Sequence, residues 1–388
     1  MGYDFDTPVD RRGTASVKWD YCKRYTGMEE ALPLWVADMD FPACREVIAS
    51  LERRAEHGVF GYTLEPESYF QAVIDWMGRR HNWPIRRGWM VCAPGVVPSL
   101  NLAFAAFSQP GDGIVIQPPV YYPFRESIID NERRVVENPL RLEGQRYTMD
   151  FDQLEAAIDE RTRLLILCSP HNPVSRVWSR PELERLVEIC LRRRIIILSD
   201  EIHHDLVMPG HRHTPTAALS EEAASITLTL TSATKTFNLA GLGCSLVIAS
   251  NEQLRERYLA AQKRTWTGLA NAFSTVATET AYRHGRSWLE QVIAYVQGNF
   301  EFLSTFLGER LPEARLIPLE GTYLAWVDLR ALGLSDEQLK ERILRQARVW
   351  LDDGPMFGSG GEGFQRINLA CPRSTLEQAL EAIVRVLA

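Results

Sequence analysis

A lysine follows shortly after an apolar, β-branched run, in the segment Ser232 to Lys235. The run Ile226 to Leu230 reads as a buried strand that ends just before this segment. A lysine amine close to a serine hydroxyl at the end of a strand suits a partly closed pocket that holds a phosphate. We therefore take Lys235 as a candidate for Schiff-base formation with pyridoxal phosphate. Taken alone, a solvated surface lysine is the more common interpretation.

A second candidate is Asp200, which closes the apolar run Ile195 to Leu198. A carboxylate at the end of a buried strand needs a partner, because burying an unpaired charge is costly. A protonated pyridine nitrogen would be such a partner, and the carboxylate would hold that proton in place. A helix cap or a salt bridge is the alternative.

Three further features follow other apolar runs. The free amides of Val96 and Val97, after the turn at Pro94-Gly95, could bind an anion at a helix N-terminus; a simple turn is the alternative. Tyr121 could stack on a flat ring or merely pack against its neighbours. Asn172 could donate to a phenolic oxygen or serve only as a turn residue.

The elements that must position these residues are apolar strands separated by amphipathic helices. The predicted strands of the first part of the chain cover 89–93, 113–117, 134–137, 164–167, 195–198, 226–230 and 244–249. Continuously apolar strands of this kind predict an α/β fold with a mostly parallel sheet and helices on both faces. Ligands bind such sheets beyond the carboxyl ends of the strands, where the candidate residues lie.

The pattern divides the chain into three parts. We expect residues 1–45 to form an irregular arm that joins the small lobe, 46–287 a large cofactor-binding domain, and 288–388 a small α+β domain. A long helix from Trp288 to Leu311 is expected to connect the two domains.

The sequence predicts where two helices begin and how far a third extends. Ser179, with Pro181 in the first turn, is expected to cap one helix, and Ser374 with Glu377 is expected to form a capping box on the last one. In the small domain, 336–346 is expected to be one helix.

Composition excludes several classes of protein. With 43 basic and 50 acidic residues the net charge is -7, so no basic excess is available for nucleic acid. The seven cysteines are odd in number and form no C-x-x-C pair, which favours reduced thiols over disulfides or a metal site. No apolar run approaches bilayer length and no secretory segment opens the chain, so a cytoplasmic protein without membrane contact is expected.

The order and spacing of Gly95, Tyr121, Asn172, Asp200 and Lys235 resemble those of fold-type I pyridoxal-phosphate enzymes. Over nearly its whole length the chain resembles the class I/II aminotransferase superfamily. More narrowly, it resembles the branch of cystathionine β-lyases and cysteine C–S lyases. The segments that carry this narrower resemblance are 11–20, 34–42, 60–63, 200–203, 235–241 and 364–373.

The resemblance implies a role for each cofactor-site residue. Lys235 is the Schiff-base lysine, Asp200 the partner of the pyridinium nitrogen, and Asn172 the donor to the phenolic oxygen. Tyr121, with Tyr122 as the second choice, stacks on the ring. The catalytic residues are then expected to be Lys235, Asp200 and Tyr121.

The resemblance also assigns residues to the phosphate group of the cofactor. The resemblance implies that the amides of Val96 and Val97 and the hydroxyl of Ser232 hold the phosphate. It also places His203 next to the cofactor.

For the substrate, the resemblance implies that Arg366 binds the α-carboxylate of an amino acid as a bidentate fork, helped by Asn172 and the backbone at Val36 and Ala37. Tyr62 is expected to reach the phosphate of the neighbouring subunit, which implies a homodimer.

The chain departs from the aminotransferase pattern at two positions and from the lyase pattern at one. Gly243 stands where many aminotransferases have a phosphate-binding arginine, and His203 where many have a tyrosine. Both differences agree with the lyase branch. Ser175 stands where that branch usually has a glycine, which would permit a positive φ.

The implied activity is a pyridoxal-phosphate-dependent β-lyase that cleaves cystathionine or another cysteine S-conjugate to a thiol, pyruvate and ammonia, with Lys235 as general base. An aminotransferase that acts on an amino acid and a 2-oxo acid is the nearest alternative. A pyridoxal-phosphate-binding regulator with little turnover is a third, which the lack of an appended DNA-binding helix pair disfavours.

Overall fold

The computed structural model describes residues 2–268 and 270–388, and a seven-stranded sheet forms its centre. In chain order the strands are β1 (Met90–Ala93), β2 (Gly113–Ile116), β3 (Arg134–Glu137), β4 (Thr162–Cys168), β5 (Ile196–Asp200), β6 (Thr227–Thr231) and β7 (Ser245–Ile248). They are arranged β1-β7-β6-β5-β4-β2-β3. Only β7 runs antiparallel to its neighbours. The predicted mostly parallel α/β sheet is confirmed.

Helices cover both faces of the sheet, because its strands are apolar on both sides. On β4, Leu164 joins the apolar cluster under helix Val96–Phe107. Its neighbour Leu165 points to the opposite face and joins the cluster under helix Arg180–Arg193. Both leucines are completely buried. The continuous apolar run that predicted a buried strand is therefore explained by two covered faces.

The α-helices of the described residues are Val17–Asp20, Cys22–Thr26, Arg45–Glu56, Glu67–His81, Val96–Phe107, Pro123–Asp130, Phe151–Ala157, Arg180–Arg193, Glu221–Ile226, Ala233–Thr236, Glu252–Thr265, Ala272–His284, Arg286–Arg310, Asp336–Lys340 and Arg373–Leu387. Short 3₁₀ turns lie at Arg87–Trp89, Thr216–Ala218, Ala240–Leu242, Arg330–Leu332 and Gly354–Phe357. None of the helices within 2–268 and 270–388 is both long and apolar enough to span a bilayer.

A smaller antiparallel sheet follows the long helix Arg286–Arg310. Its strands are β8 (Arg315–Leu316), β9 (Leu324–Asp328), β10 (Asp352–Asp353) and β11 (Phe364–Asn368), in the order β8-β9-β11-β10. On its inner face Trp326 stacks on Phe364 with ring centroids 5.0 Å apart. A separate hairpin, missing from the sequence prediction, pairs Arg141–Glu143 with Arg146–Thr148.

The arm is more regular than the sequence predicted. It contains helices Val17–Asp20 and Cys22–Thr26 and a short strand, Leu32–Pro33, which pairs in parallel with Val349–Trp350 of the C-terminal part. Trp35 stacks on Trp350 at 4.0 Å. These elements are too short to show a hydrophobic period, which is why the prediction of an irregular arm was wrong. The division of the chain into three parts stays a prediction.

Of the two predicted helix caps, the structure confirms one and contradicts the other. Ser179 caps its helix in a capping box with Glu182, as expected for a serine at this position. The capping box predicted at Ser374 is wrong, because the last helix already begins at Arg373 and its N-cap is Pro372. The Pro372 carbonyl accepts hydrogen bonds from the Thr375 and Leu376 N–H groups, so Ser374 lies inside the first turn.

The predicted helix 336–346 is not one regular helix. It is α-helical from Asp336 to Lys340 and continues as a wider π-helical segment from Glu341 to Gln346. The period of the apolar residues does not distinguish the two forms over so few residues.

Candidate active site

Loops that follow the carboxyl ends of the central strands enclose a cavity of about 260 Å³. It is lined by Trp35, Val36, Ala37, Val96, Val97, Pro98, Tyr121, Tyr122, Cys168, Asn172, Asp200, Ile202, His203, Lys235, Asp352 and Arg366. Nearly all the residues predicted to form the site are therefore brought together.

Lys235 lies on the single helical turn Ala233–Thr236 that follows β6. Ser232 caps this turn by accepting a hydrogen bond from the Thr234 N–H at 3.1 Å. The Lys235 amine donates to the carbonyl oxygen of Ala37. Burial, together with the charge of Arg366, lowers the pKa of Lys235 to about 8 against the opposing effect of Asp38 and Asp200. A larger share of neutral amine at physiological pH favours Lys235 as a nucleophile and as a base.

Asp200 is buried at the end of β5. Its Oδ1 accepts a hydrogen bond from the Ile202 N–H at 3.1 Å. Burial raises the pKa of this carboxyl group to about 7, and the nearby Lys235 offsets only part of the effect. The carboxylate therefore lacks a cation close enough to hold it ionised, and a protonated ring nitrogen would supply one. This observation fits pyridoxal phosphate.

The N-terminus of helix Val96–Phe107 forms another wall of the cavity. Its N-cap, Gly95, contributes no side-chain hydrogen bond. The first N–H groups of a helix have no carbonyl partner within the helix, and they point outward at its positive end. The amides at Val96 and Val97 can thus receive a phosphate, as the sequence predicted.

Arg366 lies on β11 and also lines the cavity. Its Nη1 donates to Asn172 Oδ1 at 2.8 Å, and its Nη2 donates to the Trp35 carbonyl at 3.0 Å and to the Asp352 carboxylate. Its Nε is buried without a hydrogen-bond partner among the described residues. Because Asn172 accepts through its oxygen, its NH₂ group is left as a donor.

Tyr121 and His203 also line the cavity. Tyr121 is half-buried and meets Phe124 edge-on at 5.6 Å, so its ring has a defined orientation. His203 is buried, and burial together with the charges of Lys235 and Arg366 holds its pKa well below the ordinary value. Its Nδ1 has no hydrogen-bond partner in the described part of the chain. A neutral histidine with one unpaired nitrogen is suited to contact a bound group.

Two predicted residues are not part of the cavity wall. The hydroxyl of Ser232 donates to the Cys244 carbonyl at 2.6 Å and caps the Lys235 turn. Tyr62 is 96% exposed on the surface of the subunit. A role for either residue at the phosphate stays a prediction.

Asp352, Trp35 and Asp205 were not predicted from the sequence as site residues. Asp352 lies on the two-residue strand β10, directly opposite Arg366 in register. Trp35 contributes its carbonyl oxygen to the same arginine. Strands this short leave no sequence pattern. The acidic pair at 352–353 was the one visible signal.

Asp205 does not line the cavity, but it holds the helical turn that carries Lys235. It accepts hydrogen bonds from Trp76 at 3.0 Å, from His81 at 2.8 Å and from Thr236, the neighbour of Lys235, at 2.9 Å. Burial alone would raise its pKa, but His204 and His81 outweigh this and hold the pKa well below the ordinary value. Asp205 therefore anchors the Lys235 turn to helix Glu67–His81.

Ser175 keeps the backbone geometry that a glycine would allow. Its φ is +58°, in the left-handed region that non-glycine residues seldom adopt. Its hydroxyl donates to the Leu324 carbonyl at 2.6 Å, which ties the Asn172 loop to β9. This hydrogen bond offsets part of the backbone strain.

The family model for aminotransferase class I and II matches residues 30–383, and the chain belongs to this family. The chain is similar to the cystathionine β-lyase PatB of Bacillus subtilis, with 42% identity over 381 residues that cover 98% of each chain. The structure is similar to cystalysin of Treponema denticola, which contains pyridoxal 5'-phosphate (TM-score 0.96, 39% identity, 100% and 99% coverage). It is also similar to the pyridoxal-phosphate-bound C–S lyase of Staphylococcus hominis (TM-score 0.93, 32% identity, 100% and 99% coverage). The predicted family and fold-type I fold are confirmed.

Proposed function

We propose that the protein is a pyridoxal-phosphate-dependent C–S β-lyase that cleaves cystathionine or another cysteine S-conjugate to a thiol, pyruvate and ammonia. The observation that carries the proposal is the convergence of Lys235, Asp200 and Arg366 on one cavity. Relatives that cover the whole chain and are named cystathionine β-lyase and C–S lyase support elimination over amino transfer. His203 and Gly243, which differ from the usual aminotransferase residues, support the same choice.

Each cavity residue has a task in this reaction. Bound pyridoxal phosphate supplies an electron sink for the charge that develops when the α-proton leaves. Asp200 holds a proton on the ring nitrogen, which strengthens that sink. Lys235 would hold the cofactor covalently, and as a neutral amine it would accept the α-proton of the substrate.

The remaining residues bind and orient. The amides at Val96 and Val97 hold the phosphate, and Tyr121 packs on the ring. Arg366 orients the substrate through its α-carboxylate, which places the α-proton next to Lys235.

The proposed reaction predicts continuous pyruvate formation from cystathionine in the absence of any 2-oxo acid. Elimination regenerates the starting enzyme in every cycle, so many equivalents of pyruvate per subunit are expected. An aminotransferase would stop after one half-reaction, at no more than one equivalent of 2-oxo product. A coupled pyruvate assay with purified holoenzyme measures this, and a parallel reaction with added 2-oxoglutarate is the control. Product that plateaus at one equivalent and resumes with 2-oxoglutarate would refute the lyase assignment.

We further propose that the functional unit is a homodimer in which Tyr62 reaches the phosphate in the partner's cavity. Tyr62 lies in a segment that also exposes the apolar side chains of Val59, Phe60 and Leu64, each at least 59% exposed. A surface patch of large apolar residues favours a protein interface. Tyr62 does not line the cavity of its own subunit.

This arrangement predicts complementation between two inactive variants. Tyr62→Ala removes a hydrogen bond to a charged group and is expected to lower kcat/KM by about 10- to 100-fold, while Lys235→Ala disables the site that contains it. In a hybrid dimer one site has both Lys235 and the partner's intact tyrosine. Random assembly should restore about a quarter of the wild-type activity, since half of the dimers are hybrids with one good site.

Differently tagged subunits, co-expressed and purified through both tags, isolate the hybrid, whose activity should be about half that of wild type because one of its two sites is complete. Each variant alone serves as the control. Hybrid dimers that form but stay inactive would show that Tyr62 serves its own subunit, whereas full activity of Tyr62→Ala alone would show that Tyr62 serves no site.

We infer that the protein works in a reducing compartment such as the cytoplasm. All seven cysteines are free thiols, and five of them are buried in the apolar interior. Burial supports a packing role for these side chains, not cross-linking.

A further inference from the structure

Asp352 is an acidic residue of the cavity that the proposed reaction does not use. It lies opposite Arg366 across the β10–β11 pair, and the two side chains form an ion pair, each only 3% exposed. The carboxylate bonds to Arg366 through Oδ2, and its Oδ1 has no hydrogen bond within residues 2–268 and 270–388. The arginine expected to bind the substrate carboxylate is thus already paired with a carboxylate of the protein.

The hydrogen bonds of Arg366 show that a substrate carboxylate must compete with groups of the protein. Each edge of a guanidinium that can bind a carboxylate with two parallel N–H groups includes one Nη2 hydrogen. Nη2 already donates to the Trp35 carbonyl and to Asp352, whereas Nε has no partner. A bidentate substrate carboxylate must therefore take over or share a hydrogen now donated to one of these two acceptors.

We propose that Asp352 occupies the place of the substrate α-carboxylate on Arg366 and takes up one proton when that carboxylate binds. The proposal rests on the assignment of Arg366 under the proposed function. Two carboxylates that share one guanidinium in a buried cavity repel each other, and a proton from the buffer on one of them removes the repulsion. Protonated Asp352 can then donate an O–H hydrogen bond to the substrate carboxylate instead of competing with it.

The surroundings of Asp352 favour this exchange. Arg366 faces it from β11, Asp353 adjoins it on β10, and Tyr121 and Tyr122 face it from the loop after β2. Burial raises the pKa of Asp352 to about 6, with a contribution from Asp353, and Arg366 opposes the rise. At neutral pH the group is mostly ionised, yet it is much easier to protonate than an exposed aspartate.

The affinity for a carboxylate ligand should depend on pH, because binding is coupled to protonation of Asp352. Below about pH 6 Asp352 already carries its proton in the free protein, so carboxylate affinity should not change with pH there. Above pH 6 the proton must be taken from solution, and the Kd should rise by about tenfold per pH unit until the pKa of the complex is reached. Only the affinity is affected, so KM should follow this profile more than kcat.

Calorimetry on the holoenzyme tests the proposal without catalysis. The ligand is 3-(methylthio)propionate, which has the skeleton of S-methylcysteine but no amino group to react with the cofactor. Titrations at pH 7.5 in phosphate and in Tris, whose ionisation enthalpies differ, yield the number of protons taken up. Wild-type protein should take up about one proton per site. Asp352→Asn should take up almost none and bind about tenfold more tightly at this pH.

Asp353→Asn is the matched control. It removes the same charge one residue further on, where the side chain is partly exposed and contacts Lys340 at 3.5 Å and Gln365 at 3.1 Å. Proton uptake should persist in this variant.

Three results would overturn the proposal: binding to wild-type protein without proton uptake, undiminished uptake in Asp352→Asn, or weaker binding in that variant. The wild-type titrations decide the matter even if a variant misfolds. Proton-coupled binding without pyruvate formation would instead contradict the proposed lyase function alone.

Discussion

Lys235→Ala is expected to lower pyruvate formation by about 10⁴-fold or more, the upper end of what a general base contributes. The variant loses both the covalent anchor of the cofactor and the amine that accepts the α-proton. Among the described residues that line the cavity, Lys235 is the only lysine. The protein should also lose the absorbance of the covalently attached cofactor, and this change is measured directly on the purified protein.

Two measurements separate this prediction from a general loss of structure. Borohydride reduction of the wild-type holoenzyme, followed by peptide mass analysis, should place the cofactor mass on the peptide that contains Lys235. Lys23→Ala is the control, because Lys23 is 70% exposed and pairs only with Glu29 at the surface. If Lys235→Ala retained a reducible cofactor bond and pyruvate turnover, the assignment of the catalytic lysine would be wrong.

Asp200→Asn is expected to lower kcat by about 10²- to 10³-fold, a loss of the size found when one preorganised electrostatic group is removed. The neutral amide cannot hold a proton on the ring nitrogen, so the cofactor accepts less of the developing negative charge. The effect should fall on kcat more than on KM, because the stabilisation is needed mainly in the transition state. Steady-state kinetics with cystathionine measure both constants.

In the absence of cofactor, Asp200→Asn should be at least as stable as the wild-type protein. The pKa of Asp200 in the folded protein is raised to about 7, above the ordinary value of 3.8. A carboxyl group with a raised pKa lowers the stability of the folded state as the pH rises through the range between these values, so the ionised group costs stability above pH 7. Asparagine removes this cost, and cofactor-free Asp200→Asn should unfold at the same or a higher temperature than wild type at pH 8.

A cofactor analogue provides the chemical control. Pyridoxal phosphate methylated on its ring nitrogen carries a permanent positive charge and does not need the carboxylate. It should restore part of the activity of Asp200→Asn. Wild-type rates in Asp200→Asn with ordinary cofactor would exclude the proposed role of this residue.

The sequence by itself determined the central sheet and the residues at its strand ends. Runs such as Leu164 to Leu167 are apolar on both faces, so they identify buried strands without any knowledge of the fold. The carboxyl ends of neighbouring parallel strands meet at one edge of the sheet. Lys235, Asp200 and Asn172 were therefore predicted to lie together from local patterns alone, and all three line the cavity.

Boundaries were less predictable than the elements themselves. Ser374 has the right spacing to Glu377 for a capping box, but the helix begins at Arg373, with Pro372 as its N-cap. The local sequence pattern does not show which of the two residues is the N-cap. The regular elements of the arm were not predicted for a similar reason, since its short strand exists only through pairing with Val349–Trp350.

Only the tertiary structure decided which groups surround the substrate arginine. Asp352 and Trp35 reach Arg366 from a two-residue strand and from the arm, and neither position has a sequence period that marks it. Their proximity depends on the register of β10 against β11 and on how the arm packs over the cavity. These are contacts between segments far apart along the chain, whose energies come from packing and burial. Local sequence reports which residues end a strand, whereas the partner of a buried charge is set by the fold as a whole.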